Sequence, residues 1–128
     1  MLTLLAVLAG GAAFQAMTPV HDAPAAAVPR DELRERFDQA VLMLHAKQFE
    51  HATTALHRVL ELAPRLPEAH VNMGFAMLGL QRPDAARDFF DGATALRPEQ
   101  ANAYYGLALA HDARGDLELA VGAMRSYL

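Results

Sequence analysis

Residues 67–98 read PEAHVNMGFAMLGLQRPDAARDFFDGATALRP, and this stretch decides the fold. Pro67 and Pro83 each open a run of good helix formers, and in a first turn the missing N–H does no harm. The predicted helices are Pro67–Leu80 and Pro83–Leu96. Gly74 in the first, with Ala86 and Ala93 in the second, lets the two approach closely, while Met73, Met77 and Phe90 fill the space around them. Pro98 closes the unit.

The pattern continues on both sides at a spacing of 34 residues. Pro64 falls on Pro98, and Ala52 on Ala86 and Ala120. Ala40, Gly74 and Ala108 are in register, as are Leu56, Phe90 and Met124, then Phe37, Val71 and Tyr105, then Val41, Phe75 and Leu109. Four more helices follow: Asp31–Ala46, Phe49–Ala63, Ala101–Arg114 and Asp116–Leu128. Gly115-Asp116 reads as a turn followed by an N-cap. Abundant Ala and Leu, with few β-branched and aromatic residues, agree with an all-α protein.

A helix-turn-helix of this period resembles the tetratricopeptide repeat (TPR), over repeats of about 33–66, 67–100 and 101–128. Repeat one carries the family pattern as Arg36, Gln39, Ala40 and Met43, then Ala52, Leu56, Val59 and Pro64. Repeat two carries it as His70, Met73, Gly74 and Met77, then Ala86, Phe90, Ala93 and Pro98. Repeat three has Tyr104, Leu107, Ala108 and His111, then Ala120, Met124 and Tyr127. Arg36 and His70 depart from it by standing where a large apolar residue is usual, and His111 by standing where an aromatic is usual. The resemblance implies a three-repeat solenoid over residues 31–128 whose first helices line a concave groove. On this chain that face comprises Arg34, Phe37, Val41, Leu44 and His45, then Glu68, Val71, Phe75 and Leu78, then Asn102, Tyr105, Leu109 and Asp112. Asn72 and Asn102 are placed to hydrogen-bond a ligand backbone. The groove lacks the Lys/Arg/Asn set with which chaperone-binding TPR domains clamp a carboxylate, so an amphipathic helix or apolar peptide is its expected ligand. Several of its apolar residues, above all Val41, Phe75 and Leu109, have packing between repeats as their competing role. The last helix, 116–128, has no polar helix beyond it. A partner, a second copy or further sequence is expected over its outer face.

Residues 1–20 contain no charged side chain, and twenty residues of helix span ~30 Å, the thickness of a bilayer's hydrocarbon core. A transmembrane anchor and a signal segment both fit. No Lys or Arg precedes the apolar run, and the nearest small-x-small site, Ala23-Pro24-Ala25, contains a proline, so retention as a single-pass anchor is the preferred reading. Residues 21–30, with Pro24, Pro29 and a run of alanines, read as a linker. Arg30, Arg34 and Arg36 would hold the domain in the cytoplasm by charge, but acidic residues interleave them. Export to the periplasm is the expectation.

Net charge of -4 and pI near 5.8 argue against nucleic acid as a partner, because phosphate binding needs a clustered basic surface. With no cysteine, thiolate metal sites and cysteine nucleophiles are excluded. His45, His51 and His57 recur at intervals of six, which on a helix leaves successive side chains ~120° apart, so they do not converge on a metal. No phosphate loop or nucleophile elbow is present, and Ser126 is the only serine. Neither an enzyme nor a cofactor is expected. The expected function is a membrane-tethered scaffold or assembly factor that binds another protein, the alternative being a permanent accessory subunit of a membrane complex. In layout the chain is also similar to the membrane-anchored TPR proteins of bacterial cytochrome c maturation.

Overall fold

A repeat of helix, tight turn and helix cannot bury its apolar face alone, so successive units stack. The computed structural model describes residues 30–128, which form six helices: α1 Arg30–His45, α2 Phe49–Leu62, α3 Pro67–Gly79, α4 Pro83–Leu96, α5 Ala101–Ala113 and α6 Leu117–Tyr127. Each helix packs against its neighbours in sequence, and the first helices of adjacent repeats also touch, α1 with α3 and α3 with α5. The predicted anchor 1–20, and the linker up to residue 29, lie outside the described residues. Among the described residues no helix is long and apolar enough to cross a membrane.

The helix bounds differ from the expected ones by a residue. Helix α1 already includes Arg30, which the sequence assigns to the linker; α1, α2, α3, α5 and α6 each end one residue early, and α6 begins one residue late. The early ends have one cause in α1, α3 and α5, a turn repeated at the same register. Lys47 and Gln81 have φ of 58°, and Gly115 has φ of 81°. In each repeat the next amide closes the turn, from Gln48 to Met43 O, Arg82 to Met77 O and Asp116 to His111 O, at 2.9 Å every time. This is a Schellman-type C-terminus, and only the third copy uses the residue that adopts positive φ without steric cost. Asp116 does occupy the N-cap position of α6, but its side chain makes no cap hydrogen bond. Its carboxylate lies 3.4 Å from the Arg114 guanidinium instead.

Between repeats a second device recurs. His70 Nε2 donates to the carbonyl of Pro64 at 2.9 Å, and the Tyr104 hydroxyl donates to the carbonyl of Pro98 at 2.7 Å, the same bond one period apart. The histidine that departs from the usual apolar residue therefore does the work of its tyrosine counterpart. Arg36, at the corresponding place in repeat one, bonds Glu32 at 2.8 Å.

The core lies between first and second helices, with α3 and α5 contributing as well as α2 and α4 and no residue of α6 buried. Leu56 and Val59 of α2 and Phe90 and Ala93 of α4 are fully buried, with Met73 of α3 between them. Phe90 occupies a slot left by two glycines. A Cβ on Gly74 would come within 2.6 Å of its ring, and a Cβ on Gly106 would collide with it as well. The ring thus ties α4 to both α3 and α5, and it meets Phe75 edge-on at 5.0 Å.

Candidate functional site: the concave face

The first helices α1, α3 and α5 carry the predicted groove residues, and they distribute them over three places. At the N-terminal end Arg34 and Phe37 line an open cavity of about 380 Å³ with Arg30, Leu33, Leu66, Glu68 and Arg97. Leu33, Phe37 and Leu66 make it apolar between three arginines and one glutamate. Arg97 pairs with Glu68 across the repeat boundary, and the second oxygen of Glu68, Oε2, is buried without a partner.

In the middle an aromatic row crosses the repeats. Phe75 lies 6.4 Å from Tyr105, and Tyr105 lies 5.4 Å from Tyr127, both at tilted angles. Phe75 is half-buried against the core, as is Leu78, whereas Tyr105 is 39% exposed. Asn102 is exposed and Asn72 half-buried, so both retain amide surface for a ligand. At the C-terminal end Leu109 joins a shallow cleft of about 290 Å³ with Asp112, Leu117, Val121 and Met124.

One predicted contact is corrected. Val71 is only 3% exposed and belongs to the core, so it cannot meet a ligand. Among the described residues repeat two has a repeat on each side, whereas Phe37 and Tyr105, in the same register, lie in repeats with one described neighbour. Val41 and Leu44 are half-buried. Tyr127 was missed as a groove residue because its helix is a second helix. The signal was its size: at the same register Val59 and Ala93 fit wholly inside, and a tyrosine does not. Among the described residues no group of three or more potential metal ligands comes together, and His45, His51 and His57 are exposed.

Residues 43–104, from the end of α1 into α5, match the family model described as tetratricopeptide repeat. Those residues are tetratricopeptide repeats. Solved structures agree in fold. The TPR domain of Sgt2 from Aspergillus fumigatus superposes with a TM-score of 0.75 at 21% identity, over 82% of this chain and 70% of that one. A MamA mutant gives 0.68 at 22% identity, over 77% and 72%. MamA from AMB-1 gives 0.69 at 23% identity over 76% of this chain, which spans 57% of that structure. No curated protein matches the sequence. The TPR fold is that of a protein–protein interaction scaffold, and its concave face here offers apolar and aromatic surface.

Proposed function

We propose that this TPR protein is a membrane-tethered scaffold or assembly factor that captures an apolar peptide or amphipathic helix of another, membrane-associated protein. The observation that carries the reading is the row Phe75–Tyr105–Tyr127, which runs from repeat two into repeat three with the Tyr105 and Tyr127 rings exposed. Such rings supply large contact area at small entropic cost, and an extended or helical segment laid across them would contact successive repeats. The exposed Asn102 amide flanks the row and suits a ligand backbone. The uncharged segment 1–20 supplies the tether and raises the effective concentration for partners in the same membrane. A periplasmic domain presenting apocytochrome segments during bacterial cytochrome c maturation is the narrower form of this proposal, and it rests on layout.

The test is capture by the full chain from gently solubilised native membranes, with bound proteins identified by mass spectrometry. Tyr105→Glu or Phe37→Glu should reduce recovery of the partner about tenfold or more with helicity unchanged, on the scale of losing one buried aromatic anchor. Full recovery by both variants would refute the groove reading.

A further inference from the structure

The cavity at the repeat-one end of the groove carries charge that the repeat architecture does not require. Arg30, Leu33, Arg34 and Phe37 recur at i, i+3, i+4 and i+7, so one face of α1 brings two guanidiniums beside two apolar side chains. Two effects oppose that placement. Arg30 stands at the positive end of the helix dipole, and a like-charge pair at i, i+4 is itself destabilising. The ion pairs of the fold relieve little of this. Arg30 is in none among the described residues, and Arg34 reaches only Asp38, at 3.9 Å with both side chains mostly exposed. Of the acids nearby, Glu32 pairs with Arg36, and Asp31 and Glu35 lie along the adjoining outer groove of α1, which Arg34 also borders. The third arginine, Arg97, is accounted for: it pairs with Glu68, the cavity's one carboxylate, and so neutralises it. At the registers of Arg30 and Arg34 the later repeats have Pro64 and Glu68, then Pro98 and Asn102, so the basic pair occurs once in the array.

We propose that this cavity is a subsite for an acidic side chain, Asp or Glu, standing next to an apolar one on the captured segment. The inference rests on the peptide-groove reading and states which segments the groove prefers. The apolar side chain sits on Leu33, Phe37 and Leu66, and the carboxylate lies between Arg30 and Arg34. There it relieves their mutual repulsion and meets the helix dipole with the favourable sign. A neutral residue leaves both guanidiniums unmatched, and a basic one adds to the repulsion, so the pair selects among partners. Phe37 shares its register with Tyr105, so a segment anchored in the cavity leads on towards the aromatic row. An anionic lipid surface is the other source of negative charge for a domain tethered as proposed. It is disfavoured because Asp31, Glu35 and Asp38 line the adjoining groove, and a flat surface would meet them together with the arginines. A single side chain entering the cavity meets the arginines and leaves those acids in water.

The probes are fluorescent peptides that share one amphipathic apolar stripe and carry glutamate, glutamine or lysine side chains at one end. Both termini are blocked, which removes the chain end as a rival carboxylate. Binding to the full chain in neutral detergent, read by anisotropy against detergent alone, should be about tenfold tighter for the glutamate peptide than for the glutamine one. The chain's net charge of -4 works against that preference, so a local site must supply it. Arg30→Gln with Arg34→Gln should erase the preference, and Arg30→Glu with Arg34→Glu should transfer it to the lysine peptide, with helical circular dichroism unchanged. Arg82→Gln with Arg125→Gln, the same change of net charge at exposed positions outside the cavity, should leave it intact. Equal binding of the peptides, a preference indifferent to Arg30 and Arg34, or one lost equally in the Arg82 and Arg125 variant would each overturn the subsite. Displacement of the glutamate peptide by a soluble short-chain phosphatidylglycerol, but not by the matching phosphatidylcholine, would assign the arginines to lipid headgroups and overturn it as well. The groove reading is tested separately by Tyr105→Glu, which should weaken all the peptides. If it weakens none while the arginine-dependent preference persists, the groove fails and the subsite stands; if no peptide binds the native chain, both fail.

Discussion

Replacing Gly74 by alanine tests the packing argument most directly, because the outcome should change sign with the residue opposite. In the native chain the added Cβ comes within 2.6 Å of the Phe90 ring, closer than carbon atoms approach. The ring cannot retreat, since a glycine slot on α5 holds its other side and Phe75 meets it edge-on. Overpacking of this kind costs about 1–3 kcal/mol, and the helix propensity of alanine over glycine returns about 1 kcal/mol. The net effect should be destabilising by about 1 kcal/mol. In a Phe90→Leu background the obstruction is gone, and Gly74→Ala should instead stabilise by about 1 kcal/mol, a coupling of about 2 kcal/mol. Repeat one already uses that pair, Leu56 with Ala40 at the same registers, both fully buried. Urea denaturation of the four chains of the cycle, followed by circular dichroism, measures the coupling. A value below about 0.5 kcal/mol would mean that Gly74 and Phe90 do not constrain one another.

Two further outcomes follow from the repeated turn and the repeated carbonyl bond. Gln81→Gly, at φ 58°, should raise stability by about 0.5–1 kcal/mol, and Gly115→Ala, at φ 81°, should lower it by about 1 kcal/mol, both read from the urea midpoint. Tyr104→Phe removes the hydroxyl that bonds Pro98 O and should cost about 0.5–1 kcal/mol with the far-ultraviolet spectrum unchanged.

The period of 34 made most of the architecture legible, because helix positions, the turn and the closing prolines all repeat. What escaped the sequence was whatever occurs once. Gly106 has Asn72 and Asp38 at its register, so periodicity pointed to Ala108 as the small residue of α5, while the contact with Phe90 depends on Gly106. The groove was legible as a face, but how far each residue reaches solvent depends on the number of neighbouring repeats. Val71 and Tyr105 share one register, yet one is in the core and the other in the aromatic row. Tyr127 shares its register with the buried Val59 and Ala93, and only its own ring reaches Tyr105.

The Phe90 slot limits how interchangeable these repeats are. Repeat arrays are usually pictured as modules that duplication can shuffle, each meeting its neighbour through the same surface. Here repeat two requires a glycine from its successor, at position 106, whereas repeat one, with Leu56 in place of the ring, precedes Asn72 at that register. Swapping repeats one and two would set Phe90 against Asp38 and leave a void between Leu56 and Gly106. The order of the repeats is therefore written into the core, and a second copy of repeat two placed after the first would set Phe90 against the Asn72 of the copy.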